Sequence, residues 1–291
     1  GSTPDPTNAI WQAADCDGDG TPNGVDPDPL DPCTDDGVIG DEDATNPIWQ
    51  AADCDGDGTP NGIDTEPYDP CVDDGTIGDE DTTNAIWQAA DCDGDGETNG
   101  TEDMNGSDPN DPCSVSGVAT IPAPADPNYD VWAAADCDGD GETNGEEVMN
   151  GTDPFDPCSV TTPTVQVDPM APGTAAQNAY DVWAAADCDG DGDSNGTDPA
   201  PSDPCDFTAG STPDPTNAIW QAADCDGDGT PNGVDPDPED PCTDDGTIGD
   251  EDTTNPIWQA ADCDGDGTPN GTDTEPYDPC AGDTDIVNNP M

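Results

Sequence analysis

The sequence contains no lysine, arginine or histidine against 71 aspartates and glutamates, a formal net charge of −71 at pH 7. No side chain can neutralise a carboxylate, and burying one without a counter-charge is costly. Either the acids stay in water or bound cations supply the missing charge, and metal ions are the economical reading. The same lack argues against nucleic acid and anionic membranes as partners, because both are bound through Lys and Arg. It also removes most side chains used for acid–base and phosphate chemistry, so no enzymatic function is expected. Leucine occurs once, at Leu30, and phenylalanine only at Phe155 and Phe207, which excludes a conventional large core. No apolar run approaches the roughly 20 residues that span a bilayer, so no membrane insertion is expected. No signal peptide is visible and the chain starts at Gly1, as in a processed mature protein or a segment of a longer one.

With 34 Gly and 34 Pro, composition alone points to disorder. Fourteen regularly placed cysteines point the other way, to a disulfide framework in an oxidising, extracellular or cell-surface setting.

Seven tryptophans, Trp11, Trp49, Trp87, Trp132, Trp183, Trp220 and Trp258, each precede an Ala-rich stretch and then Asp-Cys-Asp-Gly-Asp-Gly. Their spacing of about 38 residues, widening to about 45 and 51 in the middle, is that of a repeat array. Units are expected at 1–33, 34–71, 72–113, 114–158, 159–205, 206–242 and 243–280, with a tail at 281–291. Residues 1–71 return as 210–280 with four changes, Leu30 to Glu239, Val38 to Thr247, Ala44 to Thr253 and Ile63 to Thr272, so five units form a longer period. Linkers after Cys33, Cys71 and Cys242 are short and uniform, as at Asp35–Asp43; those after Cys113 and Cys158 are longer and rich in Ser, Thr, Pro, Ala and Val, the composition of a spacer. The expected fold class is a small calcium-binding, disulfide-rich repeat array, elongated, with little regular secondary structure, short helices and EF-hand-like loops.

The loop carries the chemistry. Counting Asp15 as position 1, oxygens fall at Asp15, Asp17, Asp19, Asn23 and Asp26, with Gly20 at position 6 and the carbonyl of Thr21 at position 7. This is the spacing of the twelve-residue EF-hand loop, where Gly permits the sharp turn and six to eight hard oxygens surround Ca²⁺. The second loop has Asp53, Asp55, Asp57, Thr59, Asn61 and Asp64; the third Asp91, Asp93, Asp95, Glu97, Asn99 and Glu102. The fourth has Asp136, Asp138, Asp140, Glu142, Asn144 and Glu147; the fifth Asp187, Asp189, Asp191, Asp193, Asn195 and Asp198. The sixth has Asp224, Asp226, Asp228, Thr230, Asn232 and Asp235; the seventh Asp262, Asp264, Asp266, Thr268, Asn270 and Asp273. A merely solvated acidic loop would not keep these offsets seven times. Position 12 is Glu only at Glu102 and Glu147; the shorter Asp elsewhere suggests weak sites suited to roughly millimolar extracellular calcium.

Each unit carries one Cys at loop position 2 and one in Asp-Pro-Cys. Pairing within a unit, Cys16 with Cys33 or Cys92 with Cys113, closes loops worth roughly 3 kcal/mol each and is the favoured connectivity. The competing one joins Cys33 to Cys54 and so on, across linkers of more variable length. Reduced zinc sites are disfavoured because the Cys spacing is wrong for them.

Asn followed by Ala or Pro, an apolar residue and Trp, as at Asn46-Pro47-Ile48-Trp49, predicts a helix of one to two turns entering each loop, with Asn as N-cap. The Trp is read as local core, the other reading being a carbohydrate platform. Asp28 and Asp31, with Glu66, Asp69, Asp153 and Asp156, are expected to complete a second ion site per unit with the Asp41–Asp43 cluster. Asn99, Asn105, Asn150, Asn195 and Asn270 each begin an Asn-Gly-Ser/Thr glycan-acceptor pattern.

The pattern D-x-D-x-D-G followed by Asn or Asp ligands and Cys resembles the thrombospondin type 3 repeat, and the third and fourth units, ending in Asn-Gly-Thr-Asp-Pro-Phe-Asp-Pro-Cys at Cys158, are similar to the versions in bacterial surface proteins. The resemblance implies a backbone wound around calcium ions, with Asp15, Asp17, Asp19, Asn23, Asp26 and their counterparts as ligands, in arrays that form stalks and spacers. The leading expectation is thus an extracellular, secreted structural protein that self-associates into a filament, stalk or surface-layer element. A calcium-dependent adhesin or dockerin-like module, with protein or glycan partners, is the alternative; its second helix is hard to find in the sequence. An acidic mineral or calcium-buffering matrix is a third reading, and the registered loops speak against it.

Overall fold

The computed structural model describes residues 5–34, 38, 40–72, 78, 80–208, 210–244, 246–247 and 249–280. The tail 281–291 and the linker stretches 35–37 and 73–77 lie outside them. Two compact units divide the chain, Gly1–Ala135 and Asp136–Met291. The first contains α1 (Ala9–Gln12), α2 (Pro47–Ala51), α3 (Ala85–Ala89), α4 (Asn99–Asn105) and α5 (Tyr129–Ala134); the second contains α6 (Asn144–Asn150), α7 (Ala175–Ala185), α8 (Ala218–Ala222) and α9 (Pro256–Ala260). No strand occurs among the described residues.

A helix of four or five residues does not survive alone, because nucleation costs more than one turn returns. Here both ends are tied. Asn46 Oδ1 accepts from the Ile48 N–H at 2.9 Å, Pro47 occupies the first helical position, and Gln50 Nε2 donates back to the Ala44 carbonyl at 2.7 Å. At the other end Ala52 turns extended, and the Asn61 and Gly62 N–H groups donate to the carbonyls of Ala52 and Gln50. The helix is thereby fastened to its loop. Asparagine caps start α1, α2, α3, α8 and α9 as the sequence predicts. The helix α7 is longer than expected: Thr174 caps it and Asn178 lies inside. Trp49, Trp87, Trp132, Trp183, Trp220 and Trp258 are buried, Trp132 to 1% exposure, while Trp11 is half-buried. Most of the core is this series of indoles beside disulfide sulfur; Trp220 and Cys225 line one small cavity with Phe207, and Trp183, Cys158 and Cys188 line another. Burial leaves these indole faces unavailable for stacking on sugar.

The disulfide connectivity differs from the favoured expectation. Cys33 pairs with Cys54, Cys71 with Cys92, Cys158 with Cys188, Cys205 with Cys225 and Cys242 with Cys263, each with Cα–Cα of 5.1 or 5.2 Å. Cys113 and Cys137 are also disulfide-bonded, and Cys16 and Cys280 are free. Each of these five bridges runs from the Asp-Pro-Cys of one repeat to the loop of the next, so the staples join repeats. Linker length was a poor guide, because closure entropy grows only logarithmically: lengthening the separation from 21 to 30 residues costs about 0.3 kcal/mol. The repeat boundaries drawn at these cysteines therefore fall inside covalent joints.

The joint has a second half. The entry segment of each following repeat folds back over the preceding loop: Asn46 Nδ2 donates to the Cys16 carbonyl at 3.2 Å, Asn84 to Cys54 at 3.0 Å, Asn217 to Cys188 at 3.1 Å and Asn255 to Cys225 at 3.1 Å. Alongside, the Asp43, Asp81, Asp214 and Asp252 N–H groups donate to the carbonyls of Gly18, Gly56, Gly190 and Gly227. Gly18 is fixed as glycine by this approach, since a Cβ there would fall 2.5 Å from the Asn46 Cβ, at a φ of +91°. We expect Asn84→Ala, which removes both the cap of α3 and the cross-joint bond, to lower stability by about 1 to 2 kcal/mol in urea titration of the oxidised, calcium-loaded protein. Asn84→Asp keeps a capping oxygen and should recover about half of that loss.

Candidate metal centre

Each loop is built so that a few oxygens are left over. In the second loop Asp53, at position 1, accepts from the Gly56 N–H through Oδ1 at 2.8 Å and from the Gly58 N–H through Oδ2 at 3.1 Å, which closes the turn. Asp55 Oδ1 accepts from the Asp57 N–H at 3.3 Å, and Asp57 Oδ1 from the Thr59 N–H at 2.6 Å. Oδ2 of Asp55, Asp57 and Asp64 is then buried with no donor. The set recurs at Asp189, Asp191 and Asp198, and at Asp226, Asp228 and Asp235. In the first loop both oxygens of Asp17 and Oδ2 of Asp19 and Asp26 are bare; in the seventh, Oδ2 of Asp264 and Asp273. The third and fourth loops are more demanding, because both carboxylate oxygens of Glu102 and of Glu147 are buried without a donor, beside Oδ2 of Asp93 and Asp95 or of Asp138 and Asp140.

A buried, ionised carboxylate with no donor is costly, and either a bound cation or a proton must offset it. Asp53, Asp55 and Asp57 each place a carboxylate oxygen within 4.8 Å of the others, as do Asp15, Asp17 and Asp19, Asp91, Asp93 and Asp95, and Asp136, Asp138 and Asp140; Asp95, Glu97 and Glu102 form a further group. The donor set is hard oxygen throughout, which suits Ca²⁺. Zinc is excluded from the loop thiols that are bonded as disulfides.

Position 9 is placed differently from a ligand facing only an ion. Asn61 Oδ1 accepts from the Cys54 N–H at 3.1 Å and its Nδ2 donates to Cys54 Sγ; Asn23, Asn195 and Asn232 also donate to the carbonyls of Trp11, Trp183 and Trp220. These asparagines brace loop to helix, with one Oδ1 lone pair still uncommitted.

Position 7 holds a feature that sequence reasoning missed. Glu97 accepts from the N–H and hydroxyl of Ser116 at 2.8 and 2.7 Å, Glu142 accepts from the Thr161 hydroxyl, and Asp193 accepts from the Thr208 N–H and hydroxyl. An acidic side chain here pins down the linker after the next cysteine. The signal was present: position 7 is acidic in the third to fifth units, where the linkers carry Ser and Thr, and Thr in the others.

The acids assigned to a second ion site mostly organise turns. Asp31 Oδ1 accepts from the Cys33 N–H and Asp69 Oδ1 from the Cys71 N–H, while Asp43 Oδ1 accepts from the N–H and hydroxyl of Thr45. Of the five glycan-acceptor asparagines, Asn99 is buried at the start of α4 and Asn195 and Asn270 are buried in their loops, whereas Asn105 and Asn150 are exposed at the ends of α4 and α6.

With no ion present, burial and then mutual repulsion push these carboxyls up: Glu102 and Glu147 to about 8, and Asp93 and Asp138 to about 7. Asp55, Asp189 and Asp226 also reach about 7, with burial again the first cause. The ion-free loop thus holds protons where a divalent cation would displace them.

Residues 91–112 and 136–157 match the family described as the bacterial TSP3 repeat. The matched stretches are the third and fourth loops, the two with Glu at position 12, each running on to the Asp-Pro before the next cysteine. No curated protein and no solved structure matches the chain. No helix among the described residues is long and apolar enough to cross a membrane.

Proposed function

From two bacterial TSP3 repeats embedded in a seven-loop array, we propose that the chain is an extracellular, calcium-stabilised structural protein, part of a filament, stalk or surface-layer element. The observation that carries the reading is the recurrence of bare, buried carboxylate oxygens in every loop, next to joints that fasten one repeat to the next. An ion in each loop stiffens the segment on which the following repeat is seated, so calcium and disulfide act on one joint. The disulfides favour an oxidising compartment. One ion per loop neutralises under a quarter of the 71 carboxylates, and a second ion near the Asp-Pro-Cys aspartate is part of the proposal. Ion counting by native mass spectrometry separates seven from about fourteen.

The test of the main reading is hydrodynamic radius and resistance to a Glu-specific protease, with calcium and after chelation. Expansion and rapid cleavage on chelation are expected; no change in either would remove calcium from the fold. The adhesin or dockerin-like reading draws on one observation, the packing of α3 against α4 around the third loop, a helix–loop–helix pair of the kind that such a binding face needs. Saturable binding of the purified array to a protein or glycan surface would promote it.

A further inference from the structure

The first and seventh repeats carry two complementary halves of a joint that is closed around the second and fifth loops. Residues 1–29 are identical to 210–238, yet their surroundings differ. In the sixth repeat Cys225 is 7% exposed and bonded to Cys205, Asn217 Nδ2 donates to the Cys188 carbonyl, and the Asp214 N–H donates to the Gly190 carbonyl at 2.8 Å. In the first, the equivalent Cys16 is free and exposed, Trp11 is half-buried, and Ile10 is 83% exposed against 49% for Ile219.

The other half is at the far repeat. Residues 262–280 repeat 53–71 with the single change of Ile63 to Thr272. Around the second loop Cys71 is bonded to Cys92, and Asn84 covers Gly56 so closely that a Cβ there would overlap it. Around the seventh, Cys280 is free and exposed, and a Cβ on Gly265 or Gly267 would meet nothing within 4 Å among the described residues.

We propose that a second copy of this chain closes the joint, with Cys280 of one copy bonded to Cys16 of the next. Asn8 then donates to the Cys263 carbonyl and the Asp5 N–H to the Gly265 carbonyl, as Asn217 and Asp214 do within the chain. Each face exists in closed form in the same molecule, the entry segment seated on the fifth loop and the loop covered by the third repeat's entry segment. The covalent step is an exchange: the two thiols give up two protons and two electrons to a low-molecular-weight disulfide, which leaves as two thiols while one Sγ–Sγ bond forms. This deepens the structural-array reading and rests on it, by supplying the contact through which copies associate.

The test uses Cys16→Ala and Cys280→Ala, substitutions at exposed, unbonded positions. Each variant is incubated in calcium with a glutathione redox buffer, after its protease resistance has shown that the array fold is intact, so failure of the joint is read separately from failure of the array. Each variant alone stays monomeric, an equimolar mixture yields a disulfide dimer with a Cys280–Cys16 cross-linked peptide, and the unaltered chain yields a ladder that lengthens with concentration. Dimers in either variant alone, a Cys16–Cys280 bridge within one chain, thiols capped only by glutathione, or no dimer in the mixture would each overturn the proposal.

Discussion

Glu147→Gln is expected to weaken calcium binding at the fourth loop about 100-fold, enough to leave that site empty where the others are filled. Both oxygens of Glu147 are buried and bare, so its charge is committed to the position where the ion belongs. At an effective dielectric of about 20 a unit charge about 4 Å away contributes about 4 kcal/mol, and a divalent ion feels twice that. Much of this is offset because the carboxylate itself must be desolvated; a net loss of about 3 kcal/mol corresponds to the 100-fold weakening. Glutamine adds an amide donor that can satisfy Asp138 or Asp140, so the ion-free loop should lose nothing. Native mass spectrometry in limiting calcium should find one ion fewer than in the unaltered chain. Glu146→Gln is the control: its neighbouring carboxylate caps α6 by accepting from the Thr143 N–H at 3.1 Å, and its loss should leave the ion count unchanged. An unchanged count in Glu147→Gln would remove position 12 from the ligand set.

The loops were legible in the sequence because their chemistry is local. Asp at positions 1, 3 and 5 with Gly at 6 fixes a turn within six residues, and all seven loops adopt it, closed by the two Asp-to-Gly N–H bonds. The Asn-capped entry helices were legible for the same reason. What crosses between repeats was not. Whether Cys54 meets Cys33 or Cys71 depends on where the chain has travelled after each loop, and near-identical repeats offer the same residues to either choice. The deciding contacts, Asn46 on the Cys16 carbonyl and Asp43 on Gly18, span 25 to 30 positions and use backbone atoms that no pattern marks. The helices α4 and α6 fall between these cases: they start at position 9, at Asn99 and Asn144, and Thr143 with Glu146 forms a capping box on α6, a local signal that overlaps the ligand pattern of the same loop.

Acid should stabilise the chelated chain and destabilise the calcium-loaded one. In the ion-free fold, burial and repulsion raise Glu102 and Glu147 to about 8 and Asp55, Asp93, Asp138, Asp189 and Asp226 to about 7. The unfolded chain titrates near 4, so between about pH 4 and pH 8 the ion-free fold binds more protons than the unfolded chain. Its stability is greatest below pH 4 and is lost as pH rises through 7 and 8. Calcium reverses the sign, because binding requires those carboxyls to be ionised and each proton retained competes with the ion. With calcium in excess, the thermal midpoint should therefore rise over the same interval. The two profiles should cross, with a swing of about 10 °C or more on each side, measured by tryptophan fluorescence in chelator and in calcium. Adding calcium at pH 7 to weakly buffered protein should release protons, and adding it at pH 9.5 should release almost none. Parallel profiles would mean that the loops open when the ion leaves, so that their carboxylates are hydrated and ionised in the free chain.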